Sequence, residues 1–273
     1  MTINFPSEYF NPEHTLECGQ VFRYKKFDKG YLVCSADKQA YVYTENGSTF
    51  IESKDTDYFH RYFDLDRDYS KIVEKALSFG IPLLSRSAES CKGLRILNQN
   101  REETVYSFIV SQNNNIPRIK GIIEKICESC GEKKKGLYGD YYTFPSSAAL
   151  AAADVSVFRT AGAGYRDEYL CKTSAKIAAE GLEGLENLGA AELKAKLLTY
   201  TGIGPKVADC IALFGFNKTD SFPVDTWIEK IYREDFKGEL KDRNKISGYF
   251  LNLFKEYSGF IQQYLFYGKR LNL

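Results

Sequence analysis

Two helical stretches joined by Thr201-Gly202-Ile203-Gly204-Pro205 constrain this chain more than any other feature. The first runs through Leu197-Leu198-Thr199-Tyr200 and ends at a Gly-Ile-Gly turn; the second opens on proline. A proline in the first helical position already has a helical φ and needs no amide hydrogen. The two glycines permit a tight turn with bare backbone N–H groups. At a helix N-terminus such amides form a phosphate site. The pattern is a helix-hairpin-helix, although an ordinary αα-turn could carry the same glycines.

Lys206 follows that proline, in the first turn, where the positive end of the helix dipole opposes another cation. Partial burial would lower its pKa in the same direction. A lysine that is neutral part of the time can attack a sugar C1′ and form a Schiff base. A surface lysine touching phosphate is the plainer alternative. Further on, Phe222-Pro223-Val224-Asp225-Thr226-Trp227 places Asp225 as N-cap of a helix from Thr226 to Arg233. The same carboxylate could stand beside the sugar, stabilising positive charge as a glycosidic bond breaks and orienting Lys206. One oxygen can cap while the other faces the site.

With 37 Lys+Arg against 36 Asp+Glu, the net charge is +1. A histone-like, charge-driven DNA binder would be far more basic, so any DNA contact must be local or use backbone amides. The 7 cysteines are scattered and fit a thiol inventory better than a disulfide framework. Cys127 and Cys130 form a CxxC, yet no second pair lies at zinc spacing and the only histidines are His14 and His60. No cysteine cluster near the end could hold iron and sulfur. No metal or cofactor is expected. No apolar run reaches membrane-spanning length, and the start, MTINFPSEYFNPEH, lacks a secretory layout. A cytosolic protein is expected.

The fold class expected is α+β. Residues 1–100 read as an N-terminal domain with an antiparallel β-sheet, and residues 101–273 as an all-helical domain. GQVFRYKKF, GYLVCSA and QAYVYTENGSTFIES carry strand-like composition, with Asn46-Gly47 as a type I′ hairpin turn. Helices are expected at 57–63 and 69–78. From about residue 100, Val105, Phe108, Ile109, Ile116, Ile119, Ile122, Ile123 and Ile126 recur at helical steps. Phe144-Pro145-Ser146-Ser147 looks like a helix start, and Gly162-Ala163-Gly164 breaks the chain before a helix from Tyr165 to Ala179. Further helices are expected near 191–200, 205–215, 226–234 and 244–267.

Gly202-Ile203-Gly204-Pro205-Lys206 followed by Pro223-Val224-Asp225 resembles the helix-hairpin-helix DNA glycosylase superfamily, with lysine and aspartate at the spacing of its bifunctional members. Three segments narrow the resemblance to the 8-oxoguanine DNA glycosylase/AP lyase family. They are Gly19-Gln20-Val21-Phe22-Arg23-Tyr24, the stretch from Ser107 to Ile119 with its Asn113-Asn114-Asn115 triplet, and Ala161-Gly162-Ala163-Gly164-Tyr165-Arg166. The likeness runs from about residue 15 to the end and is of the compact bacterial type.

That resemblance implies a glycosylase and β-lyase that excises 8-oxoguanine, preferably opposite cytosine, with Lys206 and Asp225 as catalytic residues. Gly19 would offer its carbonyl to the N7 hydrogen that oxidised guanine has and guanine lacks. Phe266 and Cys210 would sandwich the flipped base, Gln262 would read its Watson–Crick edge, and Pro223 would line the base site. Asn113, Arg118 and Arg166 would hold the orphaned cytosine while Tyr165 wedges into the vacated stack. The hairpin residues Gly202, Gly204 and Val207 would grip phosphate. The implied partner is damaged double-stranded DNA, bound by a monomer in the bacterial cytosol or nucleoid, without membrane. Two departures stand out: Trp227 replaces a histidine of animal members, and Tyr267-Gly268-Lys269 lacks an expected acidic residue. The same fold acting on another damaged base, or a non-catalytic hairpin module that only binds DNA, are the alternatives.

Overall fold

Left-handed backbone at Asn46 (φ 48°) and Gly47 (φ 76°) turns the chain back on itself in the computed structural model, which describes residues 1–273. The sequence-expected hairpin forms there. The first elements are β1 (Thr2–Pro6), α1 (Pro12–Glu17), β2 (Tyr24–Phe27), β3 (Gly30–Ser35), β4 (Lys38–Glu45) and β5 (Ser48–Ser53). The five strands make one antiparallel sheet in the order β1-β5-β4-β3-β2. Strand β1 was not expected from the sequence. It lies at the sheet edge with alternate residues exposed, so its composition carries little apolar signal.

Of GQVFRYKKF, only Tyr24–Phe27 pairs as strand. The preceding residues form a loop because Gly19 takes φ +88° and Gln20, fully buried, is tied down. Gln20 Nε2 donates to the carbonyls of Thr15 (2.8 Å) and Arg95 (2.7 Å), while its Oε1 accepts from the Leu97 amide at 2.9 Å. Residues Cys18 and Phe22 on either side enter the larger hydrophobic core, so the loop delivers Gly19 toward the helices.

Helices follow as α2 (Thr56–Tyr62), α3 (Tyr69–Ser78), α4 (Pro82–Ser90), α5 (Arg101–Ser111) and α6 (Ile116–Cys130). The expected all-helical region is then interrupted by a two-stranded ribbon, β6 (Lys133–Lys135) with β7 (Asp140–Tyr142). Strands of three residues built on lysines have no hydrophobic period to betray them. The ribbon is held to the main sheet by ion pairing of Lys134 with Asp37 and by Tyr138 packing on Tyr41. Helices α7 (Ser147–Ala152), α8 (Val155–Ala161), α9 (Asp167–Glu180) and α10 (Ala190–Leu197) come next. Ser146 caps α7 as its sequence led us to expect, accepting from the Ala149 amide. Tyr165 and Arg166 lie in a 3-10 turn ahead of α9 rather than in the helix itself.

The remaining helices are α11 (Pro205–Phe216), α12 (Thr226–Glu234), α13 (Arg243–Phe254) and α14 (Ser258–Arg270). The single helix expected over 244–267 is thus two. Lys255 adopts φ 54° and ψ −130°, and the chain turns back there while Phe254 stays buried. Helix α11 buries every residue from Val207 to Phe216, which makes it the central rod of the larger core. Helix α14 packs on α4 and α12. That packing carries residues of the last helix to the start of α12, where Asp225 sits. A second, smaller core lies under the sheet around Phe10, Val33, Val42 and Phe63. No helix is long and apolar enough to cross a membrane.

Candidate active site

The hairpin forms as the glycines dictate. Gly202 has φ +81°, and a Cβ there would collide with the Tyr169 ring at 2.5 Å. Ile203 is buried and anchors the turn, and Gly204 is the N-cap of α11 with Pro205 next. The amides of Gly204, Lys206 and Val207 donate to no protein acceptor. They are the orphan donors of a helix start, on residues that line an open cleft. Gln112 Nε2 donates to the Gly202 carbonyl at 2.8 Å, which locks the hairpin to the asparagine loop that follows α5.

Lys206 and Asp225 line one cleft of about 710 Å³, with Gly19, Phe108, Asn113, Trp227, Arg243, Phe266 and Arg270 among its walls. Both sit at helix starts, Lys206 in the first turn of α11 and Asp225 as N-cap of α12. Asp225 Oδ1 accepts from the amides of Trp227 and Ile228, each at 3.0 Å. Its second oxygen makes no hydrogen bond to protein, and the expected cap forms. Lys206 Nζ lies 5.4 Å from the centre of the Phe108 ring.

The protonation of Lys206 differs from the expectation. Burial opposes its charge, but Cys210, Asp225 and Asp209 together outweigh burial and raise the pKa above the ordinary lysine value. Cys210 is itself pushed up to about 11, chiefly by burial against the opposing pull of Lys206. The dipole argument failed because it weighed the helix start alone, whereas the fold sets Cys210, Asp225 and Asp209 around the amine. Asp209 was not foreseen. It is buried on α11, its pKa raised to about 6 by burial against the opposing pull of Lys194, whose Nζ is 2.8 Å away.

Next to the cleft is a small slot of about 30 Å³ lined by Gly19, Lys206, Cys210, Pro223, Asp225, Gln262 and Phe266, with Phe108, Phe214 and Gln263 completing it. The structure therefore brings every expected base-site residue together. Gly19 lies against Phe266: a Cβ on it would be 3.5 Å from the Phe266 ring and 3.4 Å from Arg270 Nη1, at a φ that side chains rarely adopt. Its carbonyl accepts no hydrogen bond from the protein. Such a space cannot hold a purine unless Phe266, which is only half-buried, swings aside.

The expected opposite-base residues gather around the asparagine loop, and of them Asn113 lines the cleft. Asn113 is exposed with φ 45°, and Arg118 is exposed with Nη2 3.4 Å from the Gly162 carbonyl. Tyr165 is 54% exposed, an unusual setting for a large aromatic ring that would otherwise have read as core. Arg166 is buried, unlike a solvated arginine. It donates to the carbonyls of Ala163, Gln112 and Asn113 and lies 4.3 Å from the Tyr165 ring. In this state it braces the asparagine loop.

A family model described as the N-terminal domain of 8-oxoguanine DNA glycosylase matches residues 2–105. That of the HhH-GPD superfamily of base excision DNA repair proteins matches residues 106–256. The "Probable N-glycosylase/DNA lyase" of Methanothermobacter thermautotrophicus is 32% identical over 233 residues, 76% of this chain and 71% of that protein. The chain belongs to the 8-oxoguanine DNA glycosylase family. An N-glycosylase/DNA lyase of Arabidopsis thaliana is 30% identical over 294 residues, covering 96% of this chain and 79% of that one. The 8-oxoguanine glycosylase/lyase of Clostridium acetobutylicum, solved with duplex DNA bearing cytosine opposite 8-oxoG, superposes with a TM-score of 0.92. It is 34% identical, over 100% of this chain and 98% of that chain.

As a family member the chain has three cleft residues that sequence reasoning passed over. Arg270 stands one helical turn after Phe266, with its guanidinium 5.6 Å from that ring, and the i, i+4 spacing was the available signal. Arg243 enters the cleft from the start of α13 while donating twice to Glu229 Oε2, each time at 3.0 Å. Trp227, noted only as a departure, is 42% exposed at the cleft mouth.

Proposed function

We propose that this glycosylase flips 8-oxoguanine out of duplex DNA, preferably opposite cytosine, excises it, and nicks the strand through a Schiff base on Lys206. The observation that carries the reading is a lysine and a carboxylate from two helix starts opening on one cleft, beside an apolar slot floored by glutamine. The reading takes the protein as a monomer acting on duplex DNA in the cytosol.

In this reading the free amides of Gly204, Lys206 and Val207 hold a backbone phosphate. The flipped base slides between Cys210 and Phe266, and the Gly19 carbonyl accepts the N7 hydrogen. Asp225 stabilises positive charge at C1′ as the bond to N9 breaks. The Lys206 ammonium first gives up a proton, and its amine then bonds to C1′ as the electron pair of the C1′–N9 bond leaves with the base, which picks up a proton. Opening of the sugar gives the Schiff base. Loss of a C2′ proton then expels the 3′ phosphate and nicks the strand.

Strand cleavage across a panel of lesions tests this. A site that hydrogen-bonds N7–H should reject normal guanine by roughly 10⁴-fold, since guanine sets a lone pair against the Gly19 carbonyl. Equal rates on oxidised and normal guanine would defeat the Gly19 assignment. Arg118→Ala should reduce the preference for cytosine by about tenfold, within the range of one lost bidentate base contact. Unchanged selectivity in that variant would remove Arg118 from the opposite-base reader.

A further inference from the structure

Gln262 and Gln263 are neighbours on α14, 4% and 3% exposed, and both line the slot. Gln262 Nε2 donates to the Pro223 carbonyl at 3.3 Å, and Gln263 Nε2 donates to Gln262 Oε1 at 3.0 Å. Gln263 Oε1 is buried and has no partner. The two ends of an amide are chemically opposite, since the oxygen only accepts and the nitrogen only donates. The Pro223 carbonyl can only accept, so the end of Gln262 that meets it must be nitrogen. Gln262 Oε1 then faces Gln263, which must answer with its own nitrogen. A turned Gln262 would press two acceptors together at Pro223 and two donors together at Gln263.

The geometry points to Gln263 as a positioning residue that holds the Gln262 amide in one direction and so selects a guanine-type edge, an inference that rests on the base-excision reading above. The held amide has capacity left, a second hydrogen on Nε2 and a second lone pair on Oε1. Those two match O6, which accepts, and N1–H, which donates. A 6-aminopurine presents the reverse, an amine donor beside a bare N1, and would need the amide turned. Beyond N1 on the guanine edge lies the exocyclic amine. The donorless Oε1 of Gln263 is the acceptor on hand for it.

The test measures release of 8-oxoguanine and of 8-oxoadenine, each opposite cytosine, by wild type, Gln263→Met and Gln263→Glu. A ratio of two lesions within one preparation does not depend on how much of it is folded. Gln263→Met removes the donor, and the ratio should fall about tenfold as the Gln262 amide loses one of the two partners that hold its direction. In Gln263→Glu the ratio should fall further as pH rises, because the protonated acid still donates to Gln262 and the carboxylate only accepts. A ratio unchanged in both variants overturns the assignment, as does 8-oxoadenine release that stays undetectable in both. Wild type that releases no 8-oxoguanine would overturn the parent reading, and this one with it.

Discussion

Asp225→Asn should fold as wild type does and lose roughly 10²- to 10³-fold in base excision, the scale of removing one preorganised electrostatic group from a transition state. The substitution separates the two jobs of this side chain. Asparagine is as good an N-cap as aspartate, so the hydrogen bonds from the Trp227 and Ile228 amides survive. Only the charge goes, which the proposed mechanism sets against C1′. Asp225→Ala removes both and should cost a further ~1 kcal/mol of stability, visible as a lower melting temperature. Single-turnover excision with thermal melting on the same samples reads both effects. A rate within a few-fold of wild type in Asp225→Asn would show that charge at this position does not act on the sugar.

Lys206→Gln should abolish strand nicking and also lower the melting temperature. Cys210, Asp225 and Asp209 together favour the ammonium more than burial opposes it, and a neutral amide of similar length forgoes that gain. The raised pKa has a kinetic corollary. Because the folded value lies above that of free lysine, the neutral fraction at pH 7 is small, and the covalent step should quicken as pH rises through the neutral range. A flat profile there would mean that loss of the Lys206 proton is not required before the rate-limiting step.

The parts of this site that the sequence exposed are those carried by local rules. Lys206 and Asp225 were legible because each is fixed by a helix start whose capping chemistry is written in adjacent residues. The Asn46-Gly47 hairpin and the Ser146 cap were legible for the same reason. The slot was not, except through resemblance. Gly19 meets Phe266 and Arg270 only because the buried Gln20 ties the loop to residues 95–97 while α14 folds back on α4. The break at Lys255 carries no glycine or proline, so the helical period ran straight through it on paper. Lys206 shows the limit most clearly. Its sequence neighbourhood predicts a depressed pKa, and Cys210 one turn along α11, Asp225 on another helix and Asp209 together reverse the sign. Gln263 was invisible beside Gln262 because its meaning lies in which end of an amide faces a proline carbonyl.

Borohydride trapping on a duplex with 8-oxoguanine opposite cytosine tests the central claim most directly. Reduction during turnover should freeze the Schiff base, giving a stable protein–DNA adduct in wild type that maps by peptide mass to Lys206. Lys206→Gln should give none. An adduct mapping to another residue, or one that persists in Lys206→Gln, would contradict the account.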